Sequence, residues 1–364
     1  MRFLLAAAGT AGHVEPALAV AEVLTARGHE VWILGTADGA ERDLVPARGL
    51  PLLVIDKVAF PRTMGTAALR FPRAIVRAVR ASQRHLKNQR IDAVLGFGGY
   101  AAGAAYAAAT LSRVPFVVFS YDAMPGIANR WAGRWTRWRA VASPTTRAPF
   151  ADAEVTGVPL RPGIRDFDRT QMAARGYEHF GLEPGRPTLL VFGGSLGAMR
   201  INESVLDCAP AIRAAGWQVL HITGSRDVAA QTRSRALQQP GQWSHRAYVP
   251  DMEDAYAVAD LVVSRAGAMT CAELGATGVP GVLVPYAVGN GEQALNAGPL
   301  VESGGWIILR DADADATGLG NCLREAMRGD TLSAMTAHAR ACSARLRGDD
   351  AAQRLATLLE RAGA

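Results

Sequence analysis

Apolar residues in this chain follow two patterns that alternate from one end to the other. Short unbroken runs at 3–8, 30–34, 51–55, 93–96 and 115–119 read as buried strands. Between them, segments such as 16–26 and 71–86 carry apolar residues at helical spacing. After a break the rhythm restarts, with strands expected at 188–192, 218–222, 259–264, 281–285 and 306–309. Such alternation builds parallel sheets covered by helices, so the expected fold is α/β, with two Rossmann-like, doubly wound domains. The break falls at Gly157-Val158-Pro159-Leu160-Arg161-Pro162-Gly163, where two prolines and two glycines in seven residues oppose regular structure. The expected division is residues 1–158, a hinge at 159–163, a second domain at 164–345, and a closing helix at 346–364 that packs back on the first. Two such domains facing a cleft would bind a ligand there, at the carboxyl ends of their strands.

Composition narrows the class. Apolar residues make up 49% and charged residues 20%, which excludes disordered and fibrous chains. No apolar run reaches the ~18–20 residues of a membrane helix, and the opening Met1-Arg2-Phe3-Leu4-Leu5 reads as a strand rather than a signal peptide. Cys208, Cys271, Cys322 and Cys342 show neither metal-ligand spacing nor a disulfide framework, which fits free thiols in a reducing cytoplasm. The net charge of +6 is unevenly shared. Residues 1–158 hold 19 Lys/Arg against 11 Asp/Glu, while residues 159–364 hold 20 against 22. Nine basic residues and no acidic one lie between Asp56 and Asp92, so this half either seeks an anionic partner or carries a solvated arginine surface.

Three strands end in small-residue turns that open helices. The first runs into Gly9-Thr10-Ala11-Gly12-His13, after which Val14-Glu15-Pro16 is expected to start a helix. Small residues let a ligand approach the main chain, and the helix start offers unpaired N–H groups to an anion. The G-x-G-x-x-G fingerprint is absent and Gly35-Thr36 stands where an acidic residue would end the second strand, which argues against a nicotinamide dinucleotide. His13 is either a packing or capping residue or a general base near neutral pH. The second turn, Gly193-Gly194-Ser195-Leu196-Gly197-Ala198, has the makings of a phosphate cradle. In the third, Arg265-Ala266-Gly267-Ala268-Met269-Thr270 leads into Glu273, whose carboxylate suits the two hydroxyls of a ribose. The same T-x-x-E also spells a capping box.

With these turns in order, the sequence resembles the MurG family of UDP-N-acetylglucosamine transferases. The resemblance rests on the Gly9–Ala19 stretch, Gly35-Thr36-Ala37-Asp38, Gly96-Phe97-Gly98-Gly99-Tyr100, the Gly193 and Arg265 turns, and Gly289-Asn290-Gly291-Glu292-Gln293-Ala294-Leu295-Asn296-Ala297. It implies a GT-B fold and an inverting transfer of GlcNAc from UDP-GlcNAc to lipid I, forming lipid II for the peptidoglycan cell wall. It also implies a UDP-sugar site in the second domain. Gly194, Ser195, Met269 and Thr270 would hold the diphosphate, Asn202 would belong to the same UDP-sugar site, and Glu273 would hold the ribose. Val249 and Met252 would meet the uracil, Glu292 and Gln293 the sugar, and Arg161 would reach in from the hinge. In the first domain Thr10, Gly12 and Tyr100 would face the acceptor, with His13 and Asp122 as catalytic residues. Two departures stand out. Ala8 replaces a family glycine, and Phe119-Ser120-Tyr121-Asp122 replaces a His-Glu-Gln-Asn stretch, placing Asp122 in the slot of an asparagine that lines the cleft. That aspartate offers a different base or a different choice of acceptor.

The transfer needs a base on the acceptor hydroxyl and charge stabilisation on the departing diphosphate, which helix starts supply without a fixed metal or other cofactor. One D-x-D spelling, Asp311-Ala312-Asp313, reads as a helix N-cap. Arg73, Arg77, Arg80, Arg84 and Lys87 step along one helix face, with Ile75, Val76, Val79 and Leu86 partly needed for the core. Phe60-Pro61-Arg62-Thr63-Met64 precedes them, and Trp131, Trp135 and Trp138 interleave with Arg130, Arg134, Arg137 and Arg139. These residues suit the headgroup zone of an anionic bilayer, or else a tryptophan core fringed by solvated arginines. The resulting expectation is a cytoplasmic protein docked peripherally on the inner face of the cell membrane. No nucleic-acid motif accompanies the charge. Two alternatives stay open: a related GT-B transferase with another lipid or natural-product acceptor, and a non-catalytic sugar-nucleotide-binding protein.

Overall fold

The structure is a computed structural model that describes residues 1–58, 66–144, 146, 152–194, 196–287, 291–346 and 350–364, with main chain only over 66–70. Ser195, the 60–64 loop and Gly289-Asn290 therefore lie outside the described residues. The chain forms two compact units, Met1–Arg161 with Asp349–Ala364, and Pro162–Gly348.

The first unit is built on β1 (Arg2–Ala6), β2 (Glu30–Gly35), β3 (Leu52–Val54), β4 (Ala93–Gly96), β5 (Phe116–Ser120), β6 (Arg139–Val141) and β7 (Glu154–Val155). All pair in parallel, in the order β3-β2-β1-β4-β5-β6-β7. Every position of β4 and β5 is buried, as required of strands covered by helices on both faces, and this is why they read as unbroken apolar runs. The helix Ala351–Gly363 packs on this unit, burying Leu355, Leu358 and Leu359. Arg27 donates to Glu360 at 2.8 Å and His29 Nε2 lies 2.9 Å from the same carboxylate.

The second unit contains β8 (Thr188–Phe192), β9 (Gln218–Ile222), β10 (Trp243–Arg246), β11 (Leu261–Ser264), β12 (Gly281–Leu283) and β13 (Trp306–Ile308). These are also parallel, in the order β10-β9-β8-β11-β12-β13. In each sheet the strand order reverses beside the first strand, between β1 and β4 and between β8 and β11. That is where doubly wound folds bind ligands.

The structure corrects the sequence expectation in two places. The first helix is Ala11–Ala26, so Pro16 lies inside it rather than at its start. Extended Thr10 (φ −102°, ψ 160°) is the N-cap, and burial of Val14, Ala17 and Leu18 outweighs the one hydrogen bond that Pro16 cannot make. Three strands, β6, β7 and β10, were not expected. β6 and β7 are too short to form a run. β10 is polar in spelling, and it is buried through hydrogen bonds: Ser244 Oγ donates to the Phe180 carbonyl at 2.5 Å and His245 Nε2 lies 3.1 Å from Thr223 Oγ1.

Candidate active site

In the second unit, the loops leaving β8 and β11 are the glycine turns. Gly194 (φ +98°) and Gly197 (φ +91°) hold left-handed main chain, and a Cβ on Gly193 would strike Ala198. This turn delivers the helix Met199–Asp207, whose N-cap Ala198 makes no side-chain bond. Gly267 starts the helix Ala268–Thr277 in the same bare way. Both helix starts thus keep main-chain N–H groups that no capping side chain satisfies. Thr270 is the third residue inside its helix rather than its cap, so it does not play the capping-box part. Glu273 accepts a 2.8 Å hydrogen bond from the hydroxyl of fully buried Tyr256, which orients the carboxylate. Met269 is buried and presents main chain, whereas Thr270 is half-buried.

Asn202 is placed differently from the expectation that it meets the ligand. It is fully buried, and its amide donates to the Thr223 carbonyl at 2.8 Å and to Asp227 at 2.9 Å, while its Oδ1 lies 3.1 Å from His221 Nε2. His221 Nδ1 faces Ser234 Oγ at 3.0 Å, and Trp243 Nε1 donates to that oxygen at 2.9 Å. This network holds the Thr223-Gly224 turn against Gly197, so Asn202 shapes the cradle from behind. Burial pulls the His221 pKa down to about 3.

Val249 is buried just ahead of Met252, which opens the helix Met252–Val258. Glu292 opens the helix Glu292–Glu302, and its Oε2 is buried with no hydrogen-bond partner among the described residues. Gln293 Oε1 accepts the Tyr286 N–H at 2.9 Å. Arg161 is half-buried where the first unit ends. Asp311 is not an N-cap: it pairs with Arg265 and lies 3.8 Å from Arg200, while Asp313 pairs with Arg310. The cap of the next helix is Asp315, two residues on, which accepts the Gly318 N–H at 2.8 Å. Among the described residues, no group of three or more His, Cys, Asp or Glu is arranged to hold a metal ion.

In the first unit the loops after β1, β2 and β4 converge. His13 sits in the first turn of its helix, with Nδ1 3.2 Å from Thr10 Oγ1 and its ring edge-on to Tyr121 at 5.7 Å. Burial pulls the His13 imidazole below its ordinary value, and the Glu41 carboxylate raises it back in part. Tyr100 Oη lies 3.2 Å from Thr36 Oγ1. Gly12 is a helical residue next to His13. Asp122 follows Tyr121, whose phenol is pushed well above its ordinary value first by burial and then by the Asp122 charge. Asn129 pins the end of β5 by donating to the Phe119 carbonyl at 2.8 Å. The sequence reading missed Glu41, which is fully buried and accepts from Gly9 and Thr36, and it missed the Tyr121 contact. An acidic residue opening the helix after Gly35-Thr36 was the available signal for Glu41.

The helix Thr66–Asn88 exposes Arg73, Arg77, Arg80, Arg84 and Lys87, together with Ile75 and Val76, so those two apolar residues are not core. Arg77, Arg80, Arg84 and Lys87 line an open groove of about 980 Å³ with Val54, Ile55 and other residues. Trp131 and Trp135 are exposed at 64% and 63%, with ring centroids 6.1 Å apart, which sets aside a tryptophan core at these two positions. Trp138 is half-buried beneath Arg137. Among the described residues no helix is long and apolar enough to cross a membrane.

Two doubly wound parallel sheets, with glycine turns and bare helix starts where the second one reverses, are the architecture of the GT-B glycosyltransferases, the class to which comparison assigns this chain. Comparison with known proteins narrows this. The glycosyltransferase family 28 N-terminal domain matches residues 3–140, and the family 28 C-terminal domain matches residues 188–355. The chain is 46% identical to a UDP-N-acetylglucosamine–N-acetylmuramyl-(pentapeptide) pyrophosphoryl-undecaprenol N-acetylglucosamine transferase of Leifsonia xyli, over 85% of each chain. It is 42% identical to the protein of the same description from Acidothermus cellulolyticus, over 100% of this chain and 98% of the other. Among solved structures, MurG of Acinetobacter baumannii superposes with a TM-score of 0.72 at 27% identity, covering 99% of this chain and 100% of that one. The calicheamicin glycosyltransferase CalG4 shares the fold, with a TM-score of 0.69 at 20% identity over 99% of this chain and 97% of its own. The chain belongs to glycosyltransferase family 28, among its MurG-type N-acetylglucosamine transferases.

Proposed function

We propose that this chain is an inverting transferase that moves N-acetylglucosamine from UDP-GlcNAc to lipid I, giving lipid II for peptidoglycan synthesis. The observation that carries the reading is the pair of uncapped helix starts, at Met199 and Ala268, on loops that leave the neighbouring strands β8 and β11. Their free N–H groups, each with about half a positive charge behind it, suit a diphosphate that gains charge as it departs. Gly194, Met269 and Thr270 are assigned to that cradle. Glu273, oriented by Tyr256, accepts the ribose hydroxyls. The proposal assigns Val249 and Met252 to the base, Glu292 and Gln293 to the sugar, and Arg161 to nucleotide binding.

In the transfer, an acceptor hydroxyl attacks the anomeric carbon on the face opposite the diphosphate. The new C–O bond forms as the bond from that carbon to the phosphate oxygen breaks. UDP leaves with the bonding electrons and the hydroxyl proton passes to a base. His13, kept neutral by burial, is the proposed base, with Asp122 nearby and Thr10, Gly12 and Tyr100 facing the acceptor. A lipid-linked acceptor requires access to a bilayer. The arginine face of Thr66–Asn88 and the Trp131–Trp135 pair are the proposed docking surface on the anionic inner face of the membrane.

The test offers radiolabelled UDP-GlcNAc with lipid I and with lipid-free acceptors side by side. Label in lipid II is expected. Transfer to another acceptor alone would move the reading to the related transferases that the Phe119–Asp122 departure allows. UDP binding without transfer would leave a binding protein.

A further inference from the structure

Under the turn that carries His13 lies a buried carboxylate. Glu41 has no solvent exposure, and among the described residues it makes no ion pair. Its Oε2 accepts the Gly9 N–H at 2.9 Å, and its Oε1 accepts both the Thr36 N–H at 2.8 Å and the Thr36 hydroxyl at 2.7 Å. Because Thr36 gives its proton to Glu41, the 3.2 Å contact between Thr36 and the Tyr100 hydroxyl runs one way: Tyr100 donates. Gly9 is held a second time, its carbonyl accepting the Ala40 N–H at 2.9 Å. The seat is shaped for this side chain, since a Cβ on Gly35 or Gly39 would collide with Glu41. The group therefore ties together the loop after β1, the end of β2 and the first residues of the helix after β4. Each of these ties leads to a residue on the acceptor side: Gly9 to Thr10 and His13, Thr36 to Tyr100.

We propose that Glu41 is the positioning residue of this half of the site. By holding Gly9, Thr36 and Tyr100 from below, it fixes the His13 turn in the geometry transfer needs, and it places a negative charge near the imidazole that becomes positive. This rests on reading His13 as the base. An ionised carboxylate only accepts, so it gathers several donors into one arrangement, which a neutral amide in the same seat cannot reproduce. The other titratable groups on the surrounding elements include Glu15 on the His13 helix, which lies 3.5 Å from Arg48, Arg42 and Asp43 beside Glu41, Tyr121 and Asp122 after β5, Tyr100 after β4, and Asp38 on the loop after β2. Burial raises both phenols, which stay neutral, and Glu41 is the charge that opposes burial at His13.

Glu41→Gln preserves size and removes the charge. In the full chain, assayed with UDP-GlcNAc and the lipid-linked acceptor, it is expected to lower kcat about ten- to a hundredfold and to leave KM for UDP-GlcNAc within about twofold. The acid limb of the kcat/KM profile moves to lower pH, because His13 loses the charge that supports its basicity. Glu41→Asp keeps the charge but is too short to hold Gly9 and Thr36 together, so kcat falls about tenfold with the acid limb in place. His13→Ala, measured alongside, separates the two claims. An active His13→Ala removes the base reading and this proposal with it. An inactive His13→Ala beside a Glu41→Gln with wild-type kcat and an unmoved acid limb overturns the Glu41 role alone. Loss of turnover together with loss of UDP binding, at an unmoved pH profile, also overturns it by showing a merely structural part. If Glu41→Gln does not fold, Glu41→Asp decides, and an unchanged kcat there overturns the proposal.

Discussion

Each half of the chain holds a histidine that burial keeps below its ordinary pKa, and the two are wired in opposite ways. His221 in the second unit commits both ring nitrogens, to Ser234 and Asn202, and sits in a closed network behind the Gly197 turn. His13 in the first unit commits only Nδ1, to Thr10, and its Nε2 has no hydrogen-bond partner among the described residues. In the tautomer whose Nδ1–H donates to Thr10, Nε2 carries the lone pair that a base needs. The contrast separates two ways of building a site. On the proposed function, the second unit locks its polar side chains and leaves the binding to main-chain amides at two helix starts. The first unit locks the main chain, through Glu41, so that a side chain is left free to react. Side-chain substitutions should therefore affect turnover most in the first unit and affinity or stability most in the second.

The largest effect tests this division directly. His13→Ala is expected to lower kcat about 10²–10⁴-fold while leaving UDP affinity unchanged, as measured by label transfer and by calorimetry with UDP. A variant that loses UDP binding as well would break the division.

His221 supplies the opposite case, an effect on stability. Its folded pKa of about 3 lies below the ordinary histidine value of 6.5, so the unfolded chain binds the proton more readily between these values. The stabilisation from keeping it neutral is present above pH 6.5 and is lost as pH falls toward 3. By pH 4.5 this one group is expected to remove on the order of 2–3 kcal/mol. Urea unfolding at pH 7 and 4.5 reads the slope. His221→Gln, less stable at every pH, should show a shallower fall over the same range, and an equal fall would assign the loss to other groups.

Glu273 is the second-unit carboxylate proposed to meet the ribose of the nucleotide. Glu273→Ala removes charge-assisted bonds of about 1.5–3 kcal/mol, so UDP affinity is expected to fall roughly ten- to a hundredfold in calorimetry. Tyr256→Phe, which only frees the carboxylate to turn, should cost less than half of that. Unchanged affinity in Glu273→Ala would remove this carboxylate from nucleotide binding and shift the weight further onto the main-chain amides.

The sheets and the glycine turns were legible in the sequence because the signals that define them are local. β1, β4, β5 and β8 are apolar runs, and a turn such as Gly193–Ala198 needs small residues where its main chain is left-handed or crowded. What escaped was set by contacts between residues far apart in the chain. Glu41 reaches back 32 residues to Gly9, and its local signal, an acidic residue opening a helix five positions after Thr36, does not by itself mark it as buried. Asn202 stands one helix turn after the cradle, as a ligand-facing residue would, and only the position of Thr223 and His221 on the neighbouring strand and its loop turns its amide inward. β10 was missed for the same reason: Ser244 and His245 are polar, and their partners Phe180 and Thr223 come from other elements.

The smallest expected effect concerns surface rather than site, and it distinguishes the halves by charge. Arg80 and Arg84 are exposed on the groove face of Thr66–Asn88 and have no ion pair among the described residues, whereas Arg77 lies 3.7 Å from Asp56. Near an anionic bilayer each unpaired cation contributes about 1 kcal/mol, so Arg80→Gln and Arg84→Gln should each weaken binding to vesicles containing anionic lipid about fivefold. Arg77→Gln should weaken it less, because its partner already offsets part of the charge. All three effects shrink in high salt, since the attraction reaches only about a Debye length. With a detergent-dispersed acceptor, where no surface has to be reached, the same variants are expected to turn over at the wild-type rate. A loss of turnover there would mean that this helix serves the site itself, and the first unit could no longer be divided into a reacting edge and a docking face.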